Sequence, residues 1–172
     1  PYSCTLDAIH TTGLGGKLLM ENCSFEGVGD DILNTHAVPL HVVEKHGAEL
    51  VLRFDKPGAR FPERWGRAGD LLAVYDGENF RRKTPVVIRS IARERLTVEA
   101  SAEADEVQVG DYLLNSACCP EITVRNCVAV NCRSRFCLEA AKRAEFSGNY
   151  FDMCSFKAPI YISCSFRRWA EA

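Results

Sequence analysis

The sequence predicts an all-β chain: a few coils of a parallel β-helix, interrupted by a small antiparallel β-barrel or sandwich. Three observations carry that prediction. Three segments, LLMENCSFEGVGDDILN (Leu18 to Asn34), ITVRNCVAVNCRSRFCL (Ile122 to Leu138) and AEFSGNYFDMCSFKAPIYI (Ala144 to Ile162), superimpose on an asparagine. Each reads as a short alternating strand, a polar Asn or Gly corner, a second β-rich stretch, a turn and a third stretch. The anchors Asn126 and Asn149 lie 23 residues apart, too few for a βαβ unit and suited to one coil. Between the first two copies the grammar changes to six short strands separated by turns.

Residues 1–38 form the first coils on this reading. LDAIH (Leu6 to His10) precedes DDILN (Asp31 to Asn34 within it) by 24 residues, which stacks Asp7 on Asp31 and His10 on Asn34. Residues 39–112 contain HVVEK, AELVLRF, GDLLAVYD, TPVVIRSI, RLTVEA and VGDYLLN. Each is enriched in β-branched or aromatic residues and bounded by Gly, Pro or charge, the pattern of a small antiparallel unit inserted in a solenoid loop. Gly69-Asp70 and Gly110-Asp111 read as turn chemistry ahead of strands. The run Arg60 to Arg67, with Phe61 and Trp65, reads as a solvated loop, with contact to sugar or to a neighbouring domain as the alternative. Residues 113–172 return to coils, with Cys127 stacked inside on Cys23 and Arg135 in the column of Asp31. The stretch Leu138 to Glu145 lacks a sustained helical period.

Composition narrows the function classes. The 172 residues, 47% hydrophobic, suit one compact domain or two small ones and exclude disorder. With 21 Lys+Arg against 23 Asp+Glu, there is no excess of positive charge with which to grip nucleic acid or an anionic membrane. No apolar run approaches the roughly 20 residues that span a bilayer as a helix. The start, PYSCTLDAIHTTG, has neither an initiator Met nor a signal-peptide pattern, and reads as the middle of a longer chain. The nine cysteines include the adjacent Cys118-Cys119 and no matched pair of CxxC motifs, and the four histidines are scattered. Buried free thiols at equivalent repeat positions are therefore expected, and neither a disulfide framework nor a metal site.

The residues that could carry chemistry are Asp7, Asp30, Asp31, Asn34, His36, Arg133 and Arg135. Adjacent carboxylates raise one another's pKa, and on a β-rich chain that cost suggests use. Glycoside hydrolysis needs a proton donor for the leaving oxygen and a carboxylate that activates water, and neighbouring acids with divergent pKa values supply both. The competing reading makes Gly29-Asp30-Asp31 a simple turn. His36 follows the acids closely enough to reach a sugar, with a structural role as the alternative. Asn34 shares a polar pair with His10 on the acid-bearing ridge. Trp169 is either a sugar platform or the cap of the last coil.

GDDILNTH (Gly29 to His36), VGDYLLN (Val109 to Asn115), CCPEITVRNCVAVNCRSRF (Cys118 to Phe136) and the Trp169-Ala170-Glu171 ending resemble, in order and spacing, the α-galactosidases of glycoside hydrolase family 110. The resemblance covers nearly the whole chain and about the catalytic stretch of a much longer family protein. It implies a right-handed parallel β-helix with an inserted barrel, and a cofactor-independent inverting hydrolase that removes terminal α-1,3-linked galactose from glycans. It implies catalysis by Asp7, Asp30 and Asp31, with Asn34, His36, Arg133, Arg135, Trp169 and Glu171 binding substrate, and an extracytoplasmic location. Two departures bear on substrate identity: the family's Arg-x-Arg-Gly is Arg133-Ser134-Arg135-Phe136, and its Trp-Tyr-Glu is Trp169-Ala170-Glu171. The spacing of one Asp before an Asp pair also resembles polygalacturonases, whose Gly-His-Gly and Arg-x-Lys are absent here. A glycan-binding or scaffold module and a Ca²⁺-dependent lyase remain as alternatives.

Overall fold

The computed structural model describes residues 3–54, 65–153 and 158–163, so Trp169, Glu171 and residues 60–64 of the Arg-rich run lie outside the described residues. The chain is all-β apart from short helical turns. Its strands are β1 (Ile9–Thr12), β2 (Lys17–Glu21), β3 (Ser24–Glu26), β4 (Leu33–His36), β5 (Leu40–His46), β6 (Glu49–Arg53), β7 (Leu71–Tyr75), β8 (Arg82–Ala92) and β9 (Arg95–Val98). A one-turn helix α1 (Ala102–Glu106) follows, then β10 (Tyr112–Asn115), β11 (Glu121–Arg125), β12 (Val128–Cys132), β13 (Phe136–Leu138), β14 (Arg143–Ser147), β15 (Tyr150–Met153) and β16 (Ile160–Ile162). No helix among the described residues is long and apolar enough to cross a membrane. Two compact units result, with described residues 3–37 and 119–163 in one and 38–118 in the other.

The first unit consists of three all-parallel sheets, ordered β1-β4-β13-β16, β14-β11-β2 and β15-β12-β3. The chain visits the sheets in turn: β2, β3 and β4 fall one in each, and so do β11, β12, β13 and then β14, β15, β16. Alternation explains why these strands form. In KLLME and EITVR the inward residues are Leu18 and Met20, Ile122 and Val124, with charged residues on the outer face. A second row of Leu33, Phe136 and Ile160 joins them, and Phe136 packs against Phe146 and Phe151 at centroid distances of 5.5 and 4.9 Å. Val124 pairs parallel with Phe146, as stacked coils require.

The corners depart from expectation by single residues. Asn22 and Asn126 are equivalent and both left-handed, with φ of 55° and 53°. The third member of that column is Gly148, φ 62°, rather than Asn149. A Cβ on Gly148 would stand 2.5 Å from Asn126 Oδ1, so glycine is needed there both for its φ and for room. Asn149 instead stacks beneath Cys127, accepting from the Cys127 N–H and donating to the Val124 carbonyl, both at 2.8 Å. Seven cysteines fall among the described residues and all are free thiols. Cys127 and Cys132 are fully buried, while Cys23 is only half-buried, against the expectation that it would match Cys127.

The second unit is a closed six-stranded antiparallel barrel, β10-β5-β6-β9-β8-β7. Its inward residues, among them Leu40, Val42, Leu50, Leu52, Leu72, Val74, Ile88, Leu96 and Leu113, form one aliphatic core. Residues 113–115, expected to start the returning coils, belong to the barrel because β10 pairs antiparallel with β7 across its whole length. The helix α1 arises from Ser101, which caps the Ala104 N–H ahead of an acidic first turn. Lys45 Nζ gathers the carbonyls of Ala104, Asp105 and Val107 at 2.6 to 2.9 Å. Gly110 (φ 101°) and Gly69 (φ 87°) make the expected turns, and Asp111 and Asp70 tie those turns through their carboxylates.

Candidate active site

The outward face of the β1-β4-β13-β16 sheet carries the residues of interest. Residue columns on it run across strands, so that His10, Asn34, Cys137 and Tyr161 are register partners, and Thr12 pairs with His36. Just before β1 and β4 the chain makes two close passes. Gly29 N donates to the Cys4 carbonyl at 2.8 Å, and a Cβ on Gly29 would lie 2.6 Å from that same oxygen. The glycine before the acid pair is therefore there for close approach, which brings Asp7 against Asp30 and Asp31.

One carboxylate oxygen from each of Asp7, Asp30 and Asp31 lies within 4.8 Å of the other two. The Asp31 N–H donates to Asp7 Oδ1 at 3.1 Å, which locks the 24-residue stacking read from the sequence. Asp7 Oδ2 meets His10 Nδ1 at 2.7 Å. Asp31 is only 8% exposed; Ser134 Oγ and the Arg135 N–H donate to its Oδ1, and Asn34 Nδ2 to its Oδ2 at 3.4 Å. Burial pushes the Asp31 carboxyl above its ordinary range, the donors Ser134 and Arg135 N–H offset part of that, and the charges of Asp7 and Asp30 add to the rise. Asp30 is exposed, and no described residue donates to its carboxylate. Three such oxygens could also contact a cation, which for Ca²⁺ would need several further oxygen ligands.

The sequence placed Arg135 in the column of Asp31, and the structure keeps the two level: the Ile32 N–H donates to the Arg135 carbonyl and the Arg135 N–H to Asp31 Oδ1, with Ser134 Oγ joining on the same oxygen. Register holds at an offset of 104 residues through β3 and β12, then drops to 103 at Leu33 and Phe136. The step falls between Asp31 and Leu33, because the Gly27 N–H still donates to the Val130 carbonyl, the Arg133 N–H to Val28 and the Ile32 N–H to Arg135, all in the 104-residue register. Arg135 lays its guanidinium over the Tyr161 ring, 3.8 Å from the centroid, while contributing its N–H to Asp31. Arg133 is exposed, with its N–H bound to the Val28 carbonyl. His36 is 3% exposed and meets His10 Nε2 at 2.7 Å and Thr12 Oγ1 at 3.2 Å, so it reaches the acids through His10 rather than facing solvent.

Beyond the residues singled out from the sequence, the structure adds Ser134, Cys137 and Glu139, and it makes His10 a direct partner of Asp7. Cys137 is buried and its thiol lies 3.6 Å from Glu139 Oε1, which also accepts from Ser163 Oγ at 3.1 Å. Burial, then the Glu139 charge, push the Cys137 thiol far up, so it stays protonated. The contact between Asp7 and His10 follows from a bend ahead of β1 and has no periodic signal.

No family model matches the chain. It is similar along its length to curated proteins named α-1,3-galactosidase: 27% identical over 99% of this chain to α-1,3-galactosidase A of Bacteroides fragilis, 24% over 96% to α-1,3-galactosidase B of Bacteroides thetaiotaomicron, and 27% over 99% to α-1,3-galactosidase B of Akkermansia muciniphila. The chain spans 29%, 28% and 22% of those relatives' lengths. The similarity agrees with the family 110 resemblance carried by the sequence motifs. A tailspike of Acinetobacter baumannii bacteriophage AP22, solved with capsular saccharide, aligns over 89% of this chain and 30% of its own at 10% identity and a TM-score of 0.27, too low to bear on the fold.

Proposed function

We propose that the chain carries the catalytic face of a glycoside hydrolase that removes terminal α-linked galactose with inversion, on coils that wind as a right-handed parallel β-helix. The observation that carries this reading is the convergence of Asp7, Asp30 and Asp31 within 4.8 Å, on a chain similar throughout to α-1,3-galactosidases. Asp30, exposed and free of donors among the described residues, is the general acid that protonates the leaving oxygen. Asp7 and Asp31 together hold the attacking water, and the raised pKa of Asp31 makes it the stronger proton acceptor. Arg133 and Arg135 bind sugar hydroxyls, and Asn34 and His36 support the acids. Trp169 and Glu171, outside the described residues, keep their expected sugar-binding role in this proposal.

One observation favours a second reading. Two carboxyls about 5 Å apart act by retention, whereas inverting pairs stand about 6.5 to 9.5 Å apart to leave room for water. Asp30 stands within the same 4.8 Å of Asp7 and Asp31, so the arrangement fits inversion only if the exposed Asp30 side chain turns away from that pair when sugar binds. NMR of the first anomer released from an α-galactoside by the intact protein separates the readings: β-galactose first supports inversion, and α-galactose first supports retention. Saturable sugar binding without release would instead assign a binding module, and loss of activity with a chelator a cation-dependent lyase. Asp30→Asn should slow substrates with poor leaving groups far more than activated aryl galactosides, while Asp7→Asn and Asp31→Asn slow both.

A further inference from the structure

Two imidazole rings meet behind Asp7. His10 Nδ1 lies 2.7 Å from Asp7 Oδ2, His10 Nε2 lies 2.7 Å from His36 Nε2, and the rings stand edge to face at 79° with centroids 4.7 Å apart. Two ring nitrogens at that separation bind through one proton between them; with none, two lone pairs face each other, and with two, two N–H groups collide. Asp7 already accepts from the Asp31 N–H at Oδ1, so His10 is the donor that sets its second oxygen. That assigns the hydrogens: His10 carries one on Nδ1, and the Nε2···Nε2 line carries one, supplied by His36 in the neutral pair.

We propose that His10 and His36 are a single proton-sharing unit that fixes the orientation of Asp7, with His10 as the positioning residue and His36 as its lock. This rests on the reading that Asp7 works in a hydrolytic site. The unit can take up one proton as pH falls, because a further proton on the neutral pair fills the remaining Nδ1 of His36 and leaves the shared proton in place. A second uptake would put two hydrogens on the Nε2···Nε2 line. The charged and titratable groups around the pair are Asp7 ahead of β1, Asp30 and Asp31 ahead of β4, and, from β13 and its flanks, Arg135, Cys137 and Glu139. Thr12 Oγ1 completes the cage at 3.2 Å from His36 Nε2.

The test reads protons directly. In ¹⁵N-labelled intact protein, long-range ¹H–¹⁵N spectra report which ring nitrogens carry hydrogen, with the two histidines assigned through His10→Asn and His36→Gln. The expected result at neutral pH is hydrogen on His10 Nδ1 and His36 Nε2, and on acidification one proton taken up by the pair while the fold persists. Two imidazolium rings in the folded protein, or His10 protonated on Nε2 alone, would overturn the proposal whether or not the protein hydrolyses sugar. Kinetics then test the positioning role. His10→Leu should lower kcat by about a hundredfold, the scale of a misplaced catalytic group, with KM little changed. His10→Asn, whose amide N–H sits where Nδ1 was, should restore most of that loss. Equal losses in both variants would reject the role of His10 as Asp7's positioning donor, and hydrolysis absent from the unmodified protein would count against the hydrolase reading alone.

Discussion

Each unit of the molecule buries an aspartate, and the two are treated in opposite ways. In the barrel, Asp111 is 2% exposed, and Lys83 Nζ reaches both its oxygens at 2.8 and 2.9 Å while the Gln108 N–H donates at 2.9 Å. In the coils, Asp31 is 8% exposed, and its nearest charged neighbours are two more carboxylates. A buried charge matched by an opposite charge and hydrogen bonds is a structural element; one placed among like charges is held at a cost to the fold and is available for chemistry. Asn115 and Asn34 repeat the contrast. Asn115 donates to the Trp65 carbonyl and to Asp70 and accepts from the Ala117 N–H, whereas Asn34 Oδ1 finds no hydrogen-bond partner among the described residues.

The contrast predicts opposite outcomes for equivalent changes. The largest is in activity: Asp7→Asn and Asp31→Asn should each lower kcat in the intact protein by about a thousandfold, within the range of a proton-transfer group, while Asp111→Asn leaves kcat within about twofold. A similar loss in all three would erase the distinction between the units. Next comes stability in the barrel. Asp111→Ala leaves Lys83 Nζ, only partly hydrated, facing Asp76 at 3.7 Å, and should cost about 2–4 kcal/mol in urea unfolding.

A smaller effect runs the other way at Asp31. Because its folded pKa is raised, protonation favours the folded state; that benefit is complete below the ordinary value of 3.8 and is lost as pH rises through the raised value. Asp31→Asn removes the charge for good, so it should raise Tm by about 2–4 °C at pH 7 and by nothing below pH 3.8. A lowered Tm at neutral pH would mean that the bonds from Ser134 and Arg135 outweigh burial. The smallest effect is in thiol labelling of the native protein: among the described thiols, half-buried Cys4, Cys23 and Cys118 should react first, and Cys127, Cys132 and Cys137 only with unfolding.

Local pattern was enough for much of this. Alternating residues and turn chemistry between His41 and Asn115 located all six barrel strands, since inward and outward faces are written every second residue. The 24-residue interval between Asp7 and Asp31 and the parallel pairing of Val124 with Phe146 were likewise legible, because the repeat sets both. Register across corners was not. A coil can lose one residue at a turn without disturbing the strands on either side, and one residue moves every later side chain in the column. Tertiary structure alone therefore decided that Ser134 joins Arg135 in reaching Asp31, that Gly148 rather than Asn149 takes the left-handed corner, and that Arg135 rests on Tyr161. It also decided the approach of Asp7, His10 and His36, which depends on a bend ahead of β1 and on Gly29 letting two segments come within reach of one another. Sequence by itself determined which residue types the molecule could spend on chemistry and that Asp7 stacks on Asp31; packing of neighbouring coils determined the remaining contacts, because one between residues 103 positions apart, such as Ser134 with Asp31, spans turns and an inserted barrel that carry no period.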